Sequence, residues 1–421
     1  MTPPSLQKQP LVSPVGLAMA GGAPGGAIYE IGAMRALDQA LVGLDLRDCG
    51  SYVGVSAGAF LVSCLANGLS TKQQVRAIVK DEPGEHPFVP ENFFRPAVQE
   101  LGGRLLRAPQ LLGGALRDYA LRRERRLVDA LTVLGEAIPV AVFDNDPIRD
   151  YVSKIFSIKG RTDDFSKLER QLTVVATDLE TGRSMLFGSS GWPHVPISRA
   201  VQASTALPGL YTPVEIDGRF YVDGVLQKTM HASIPLQQGA KLVFCINPLV
   251  PVDTSQAVQQ NILSAGEVKR RGLPSVLSQT VRTMIHSRMA LGMSRYKARY
   301  PEADVILLEP TRDDYEDFFS NIFSFASRRA VVERAWEETR RSLLARAGQI
   351  QPVLESYEIG LDLDFLRDPE RDIWQDVGLP EFSREERQKP AVANADEVVS
   401  ELEGLLERVE RLAAHRAAQA G

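Results

Sequence analysis

Two neighbouring stretches decide the fold: Val15-Gly16-Leu17-Ala18-Met19-Ala20-Gly21-Gly22-Ala23-Pro24-Gly25-Gly26, and Tyr52-Val53-Gly54-Val55-Ser56-Ala57-Gly58. Each begins as a short apolar run, turns through small residues, and continues at helical period. After the first turn, Ile28, Ile31, Met34, Leu37 and Leu41 mark one face of a helix over residues 27–41; after the second, a helix is expected over 57–69. Short continuous apolar runs read as strands buried on both faces, and strand, tight turn, helix, repeated, builds a parallel sheet covered by helices. The expected fold class is therefore α/β, with a mainly parallel sheet flanked by helices.

Working outward, Leu172 to Ala176, Ser184 to Phe187, Leu242 to Ile246 and Val305 to Leu308 read as further strands. Val214 to Ile216 and Phe220 to Val222, joined by Asp217-Gly218, read as a β-hairpin. Between Arg95 and Arg126 eight arginines face three acids among Phe and Leu residues, so residues 81 to about 145 read as a helical, amphipathic insertion. The expected organisation is an N-terminal tail (1–14), a main domain (15–310) containing that insertion, and a helical C-terminal extension (311–421). Within the extension Val398, Leu402, Leu405, Val409 and Leu412 form a short apolar seam that either dimerises or docks on the main domain, docking being the favoured reading.

With 44% hydrophobic and 24% charged residues in 421, a full core is available and wholesale disorder is excluded. A net charge of −5 argues against nucleic acid as a partner. Cys49, Cys64 and Cys245 lie far apart without metal-ligand spacing, which suits reduced structural thiols in a cytoplasmic protein and implies no metal. The N-terminus lacks a basic segment followed by an apolar run, so no signal peptide is expected, and no apolar stretch reaches the roughly 18 residues a membrane span needs.

Gly54-Val55-Ser56-Ala57-Gly58 fits G-x-S-x-G. A nucleophilic serine on a sharp strand-to-helix turn needs small neighbours, and the helix that follows aims free N–H groups at developing negative charge. The alternative is a tight turn with an incidental serine. The loop from Gly21 to Gly26 offers backbone N–H groups for an oxyanion. Such loops also hold nucleotide phosphates, yet this one matches neither a P-loop nor a regular dinucleotide fingerprint. None of the five histidines (His86, His194, His231, His286, His415) occupies the late strand-to-loop setting of a hydrolase histidine. Asp223, at the end of a β-run and followed by Gly224, is the other candidate base: a carboxylate bonded to a serine hydroxyl accepts its proton when partial burial raises its pKa. By itself it also reads as an ordinary Asp-Gly turn.

Taken in order, these blocks resemble the patatin-like phospholipases, α/β acyl hydrolases with a Ser–Asp dyad and no histidine. Gly21, Gly22 and Gly26 match the family's oxyanion loop, Ser56 its nucleophile, and Asp223-Gly224 its D-G-[GA] block. Val175 to Leu179, Ala203 to Pro208, and Tyr211-Thr212-Pro213 match supporting stretches, over residues 15 to about 250. Ala23 stands where the family has a third loop glycine, Gly25 where it has a basic residue, and Val225 where it has a small one. The resemblance implies lipid acyl hydrolysis through an acyl-enzyme, with catalytic Ser56 and Asp223, an oxyanion hole from Gly21, Gly22, Ala23 and Gly26, a nucleophile turn held by Gly54 and Gly58, and no cofactor. The alternatives are a lipid-surface scaffold that has lost turnover, or a hydrolase of non-phospholipid esters. Expected partners are a lipid ester and a membrane or lipid-droplet surface met peripherally. The arginine-rich insertion and a second basic stretch, Lys269 to Arg299, are each either interfacial or simply packed on the sheet with solvated arginines.

Overall fold

A computed structural model describes residues 11–79, 93–97, 140–189, 192–313 and 325–380. Eight strands form the central sheet: β1 (Val15–Met19), β2 (Ser51–Val55), β3 (Gln171–Asp178), β4 (Ser184–Phe187), β5 (Val214–Ile216), β6 (Arg219–Asp223), β7 (Leu242–Ile246) and β8 (Asp304–Leu308). Their order is β8-β7-β1-β2-β3-β6-β5, with β4 on β3. The five strands from β8 to β3 run parallel, while β6, β5 and β4 are antiparallel to their neighbours. Every residue of β1, β2 and β7 is buried, as an apolar strand covered on both faces requires.

The pleat divides the core. Leu17, Met19 and Tyr52 pack on one side with α1 (Ala23–Ala40) and α2 (Ala57–Ala66). Ala18, Val53, Val55, Val243 and Cys245 pack on the other, against Met230, Ile234, and Ile285 of a long helix described below. Cys49, Cys64 and Cys245 are buried and free, and burial pushes the Cys64 thiol up to about 12.

Two pieces of the region expected as a helical insertion are described, residues 93–97 and 140–145, and both contribute strands. Arg95–Pro96 pairs antiparallel with Ala141–Asp144, which pairs in parallel with Gly209–Tyr211. Ala141–Asp144 is a four-residue strand, too short for its pattern to stand out beside the arginine-rich run. The remainder of that insertion, and the seam from Val398 to Leu412, lie outside the described residues. α1 begins four residues before its expected start, with Pro24 in its first turn, where a missing N–H leaves no bond unmade.

Between the strands lie α3 (Asp146–Phe156), α4 (Ile197–Ser204) and α5 (Gly272–Arg299), and α6 (Phe325–Ala345) follows β8. α6 lies against α1: the Trp336 indole N–H donates to the Gln39 side-chain carbonyl at 2.7 Å, and the Arg340 guanidinium stacks 4.3 Å above the Trp336 ring.

Candidate active site

The register around β3 creates the site. Residues 174–177 of β3 pair with β4 along one edge. Along the opposite edge β2 covers residues 171–175, with Val55 opposite Val175, and β6 takes over from 176 to 178, with Asp223 opposite Ala176. One strand runs up that edge and the other runs down it, so their ends meet. Ser56, one residue past β2, thereby arrives beside Asp223, the last residue of β6.

At this junction the Ser56 hydroxyl donates to Asp223 Oδ2 at 2.6 Å. Asp223 Oδ1 accepts the Val225 N–H at 2.9 Å, and the Asp223 N–H donates to the Ala206 carbonyl at 2.9 Å. Both side chains are buried. Burial lifts the Asp223 carboxyl from the usual carboxylate range to about 7, against the opposing pull of the Ser56 and Val225 hydrogen bonds. A carboxyl at that value exchanges protons near neutrality, as a general base must.

Ser56 sits at φ 53 and ψ −124, a conformation that crowds an L-residue and stores roughly 1–3 kcal/mol. The flanking glycines allow it: a Cβ at Gly54 would lie 2.3 Å from Ala59 Cα, and one at Gly58 2.4 Å from the Ala20 carbonyl oxygen. Gly224 has the same duty on the other strand, since a Cβ there would meet the Val175 carbonyl oxygen at 2.4 Å. The Val225 side chain is buried in the second core, and what Asp223 uses is its backbone N–H, so a departure from the family's small residue leaves that bond intact.

Gly21 packs against Ser56, for a Cβ there would stand 2.8 Å from Ser56 Cβ. Among the described residues neither the Gly21 nor the Gly22 N–H donates to a protein acceptor. Gly26 departs from its expected place in the oxyanion loop: its N–H donates to the Gly22 carbonyl at 2.9 Å, the opening bond of α1, and it packs beneath Pro248. Ala23 lies in that same first turn.

Two groups escaped sequence reasoning. The Ser56 N–H donates to the Ser204 hydroxyl at 2.8 Å, and Ser204 donates onward to the Val175 carbonyl at 2.6 Å, so Ser204 locks the strained turn to β3. Its block, Ala203 to Pro208, was visible in the sequence, but its task was not. The second is a cavity of about 100 Å³ lined by Ser56 and Asp223 together with Phe60, Ile148, Tyr151, Leu210 and Tyr211. Its lining is almost wholly apolar.

Among the described residues no imidazole lines this cavity. His231 is buried and held neutral, burial driving its pKa down to about 3, and His194 lies 2.8 Å from the exposed Asp217. His286 is on α5; His86 and His415 lie outside the described residues. The Asp178 carboxylate in the matched stretch is structural: it accepts the Glu180 and Thr181 N–H groups and pairs with Arg219 at 2.8 Å.

Fold and site together define an α/β protein with a serine elbow abutting a buried carboxylate. The sequence model described as "Patatin-like phospholipase" matches residues 17–236, just over half of the chain, and the chain belongs to that family. An uncharacterized NTE family protein of Mycobacterium tuberculosis is 28% identical over 151 residues, covering 35% of this chain and 33% of the relative. An uncharacterized protein of Acanthamoeba polyphaga mimivirus is 29% identical over 85 residues, covering 20% of this chain and 29% of its own. The chain thus spans about a third of the length of these curated relatives. Among solved structures, VipD from Legionella pneumophila aligns at 16% identity with a TM-score of 0.34, covering 80% of this chain and 67% of that one. The type III effector ExoU aligns at 15% identity and 0.31, covering 82% and 59%.

Proposed function

We propose that the protein is a lipid acyl hydrolase with a Ser56–Asp223 dyad. The Ser56 oxygen attacks the ester carbonyl carbon while its proton passes to Asp223 Oδ2. Negative charge that develops on the carbonyl oxygen is met by N–H groups of Gly21, Gly22 and Ala23 at the start of α1, where the helix dipole adds to them. Collapse of the tetrahedral species breaks the ester C–O bond, and the Asp223 proton leaves on the departing alkoxide. Water then gives a proton to Asp223 and attacks the acyl-Ser56, releasing the fatty acid as the proton returns to the Ser56 oxygen.

The observation that carries this reading is the direct 2.6 Å hydrogen bond between a strained serine and a carboxyl poised near pH 7. Family membership supports the acyl-hydrolase class. The apolar lining of the cavity, whose volume is about 100 Å³ against the roughly 300 Å³ or more of a typical small-molecule site, favours an alkyl chain as the acyl group. Mixed lipid and soluble esters would then identify the head group.

The test is labelling by a fluorophosphonate, followed by peptide mapping. The wild-type chain takes up one label, on Ser56, and hydrolyses long-chain esters; Ser56→Ala loses both. Equal labelling of Ser56→Ala, or turnover that survives the substitution, overturns the assignment.

A further inference from the structure

α5 is 28 residues long and has two apolar faces. Ile285 and Tyr296, with Met289 and Met293 beside them, turn inward onto the second core. The opposite side has no such cover. Leu273, Leu277, Met284 and Leu291, spaced by four and seven residues, follow one side of the helix with Val281 next to them, and all are exposed, Leu273 by 69% and Leu291 by 60%. A row of large apolar side chains in water over this length marks a contact surface.

The charge around the row identifies the contact. From residue 268 to 301 there is no Asp or Glu, yet there are eight cations, in a chain whose net charge is −5. Arg288 and Arg295 follow Val281 at steps of seven, so the C-terminal half of the same side is basic. Arg288, Arg295, Lys297 and Arg299 have no salt-bridge partner among the described residues, whereas Arg270 and Arg271 pair with Glu267. Beside the row, a cavity of about 260 Å³ between α5 and the loop after Asp223 is lined by Lys228 and Arg288 and by no carboxylate. The Lys228 ammonium there donates to the Tyr296 hydroxyl at 2.8 Å, and it too lacks a carboxylate partner among the described residues.

We infer that the outward side of α5 docks on an anionic lipid surface, its leucines and Met284 entering the acyl boundary and its arginines reaching the phosphates. Interfacial helices combine these two features, and long cationic side chains extend to head groups while their stems stay apolar. A second copy of the same face is a poorer occupant, because it would bury two sets of the cations Arg288 and Arg295 in one seam with no carboxylate on the face to meet them. The inference stands on the helix and not on the dyad.

Flotation of the full chain with two vesicle preparations tests it: phosphatidylcholine alone, and phosphatidylcholine with phosphatidylglycerol. Binding is expected to the anionic vesicles, to weaken as salt rises, and to fall about tenfold or more in a Leu277→Glu/Met284→Glu variant. Both substituted side chains are exposed, so the variant should melt within a few degrees of the parent. No binding, equal binding to both preparations, or an unchanged variant overturns the proposal. So does a parent dimer that the variant converts to monomer without vesicle binding, which would make the row a seam between copies. Failure here with Ser56 still labelled in the parent chain leaves the hydrolase reading standing.

Discussion

The two halves of the dyad are strained in different ways. On the β2 side the stress is in the backbone: Ser56 is held at positive φ by an elbow that only small flanking residues permit. On the β6 side the backbone is relaxed, and the stress is electrostatic, a carboxyl removed from water and left without a cation partner among the described residues. Raising an aspartate from its usual 3.9 or so to about 7 corresponds to roughly 4 kcal/mol of lost stability once it ionises. Conformational strain at the nucleophile is roughly 1–3 kcal/mol. Each half carries a cost in folding stability, and the larger share falls on the carboxyl.

Asp223→Asn probes this contrast most severely. Labelling of Ser56 should fall by about a thousandfold or more, because nothing else at the junction accepts its proton. The same variant should be more stable than the parent above pH 7, by up to about 4 kcal/mol in denaturant titrations. That gain has a defined window. The native carboxyl titrates higher than the unfolded one, so its penalty is absent below about pH 4, grows between about 4 and 7, and is complete above. Parent and variant should therefore converge in stability near pH 4. A variant less stable than the parent at pH 8 would refute the electrostatic half of the comparison.

The pH–rate profile is the next test. Only ionised Asp223 accepts the Ser56 proton, so kcat/KM should drop about tenfold per pH unit below 7 and level off above it. A midpoint near 4 would show a solvated base. The mildest test falls on the nucleophile's side. Ser204→Ala removes the acceptor of the Ser56 N–H and the anchor to Val175 while leaving the dyad chemically whole. Labelling should slow by about tenfold through loss of positioning, without moving the pH midpoint, since Ser204 acts on the elbow and not on the carboxyl. A shifted midpoint would mean the two halves are coupled.

Much of this was legible in the sequence, for local reasons. β4 and β7 coincide with their expected ranges. The Asp217-Gly218 turn, with φ values of 53 and 72, joins β5 to β6 in the way two left-handed turn residues dictate. Ser56 and Asp223 announced themselves by their flanking glycines. What stayed hidden depends on pairing. Nothing in the chain states that β2 and β6 share an edge of β3, that Ser204 reaches the elbow, or that Ile148 and Tyr151 come from α3 to the cavity wall. Pro24 reads as loop because four glycines (Gly21, Gly22, Gly25, Gly26) surround it, though a proline there also fits a helix's first turn. The basic stretch ending at Arg299 can be read two ways from the sequence, because which of its apolar residues face solvent is fixed only once α5 is laid on the sheet.

The shared edge of β3 also bears on how the chain matures. Ser56 and Asp223 are 167 residues apart in the chain, and each reaches its place through a different pairing partner range on one strand. Neither a nascent N-terminal half nor a collapsed intermediate with only β2 docked would have Asp223 beside Ser56. Contacts of such long sequence separation are among the slowest to form. If the proposed dyad holds, labelling of Ser56 should thus appear as a late event during refolding, after β6 has paired with β3.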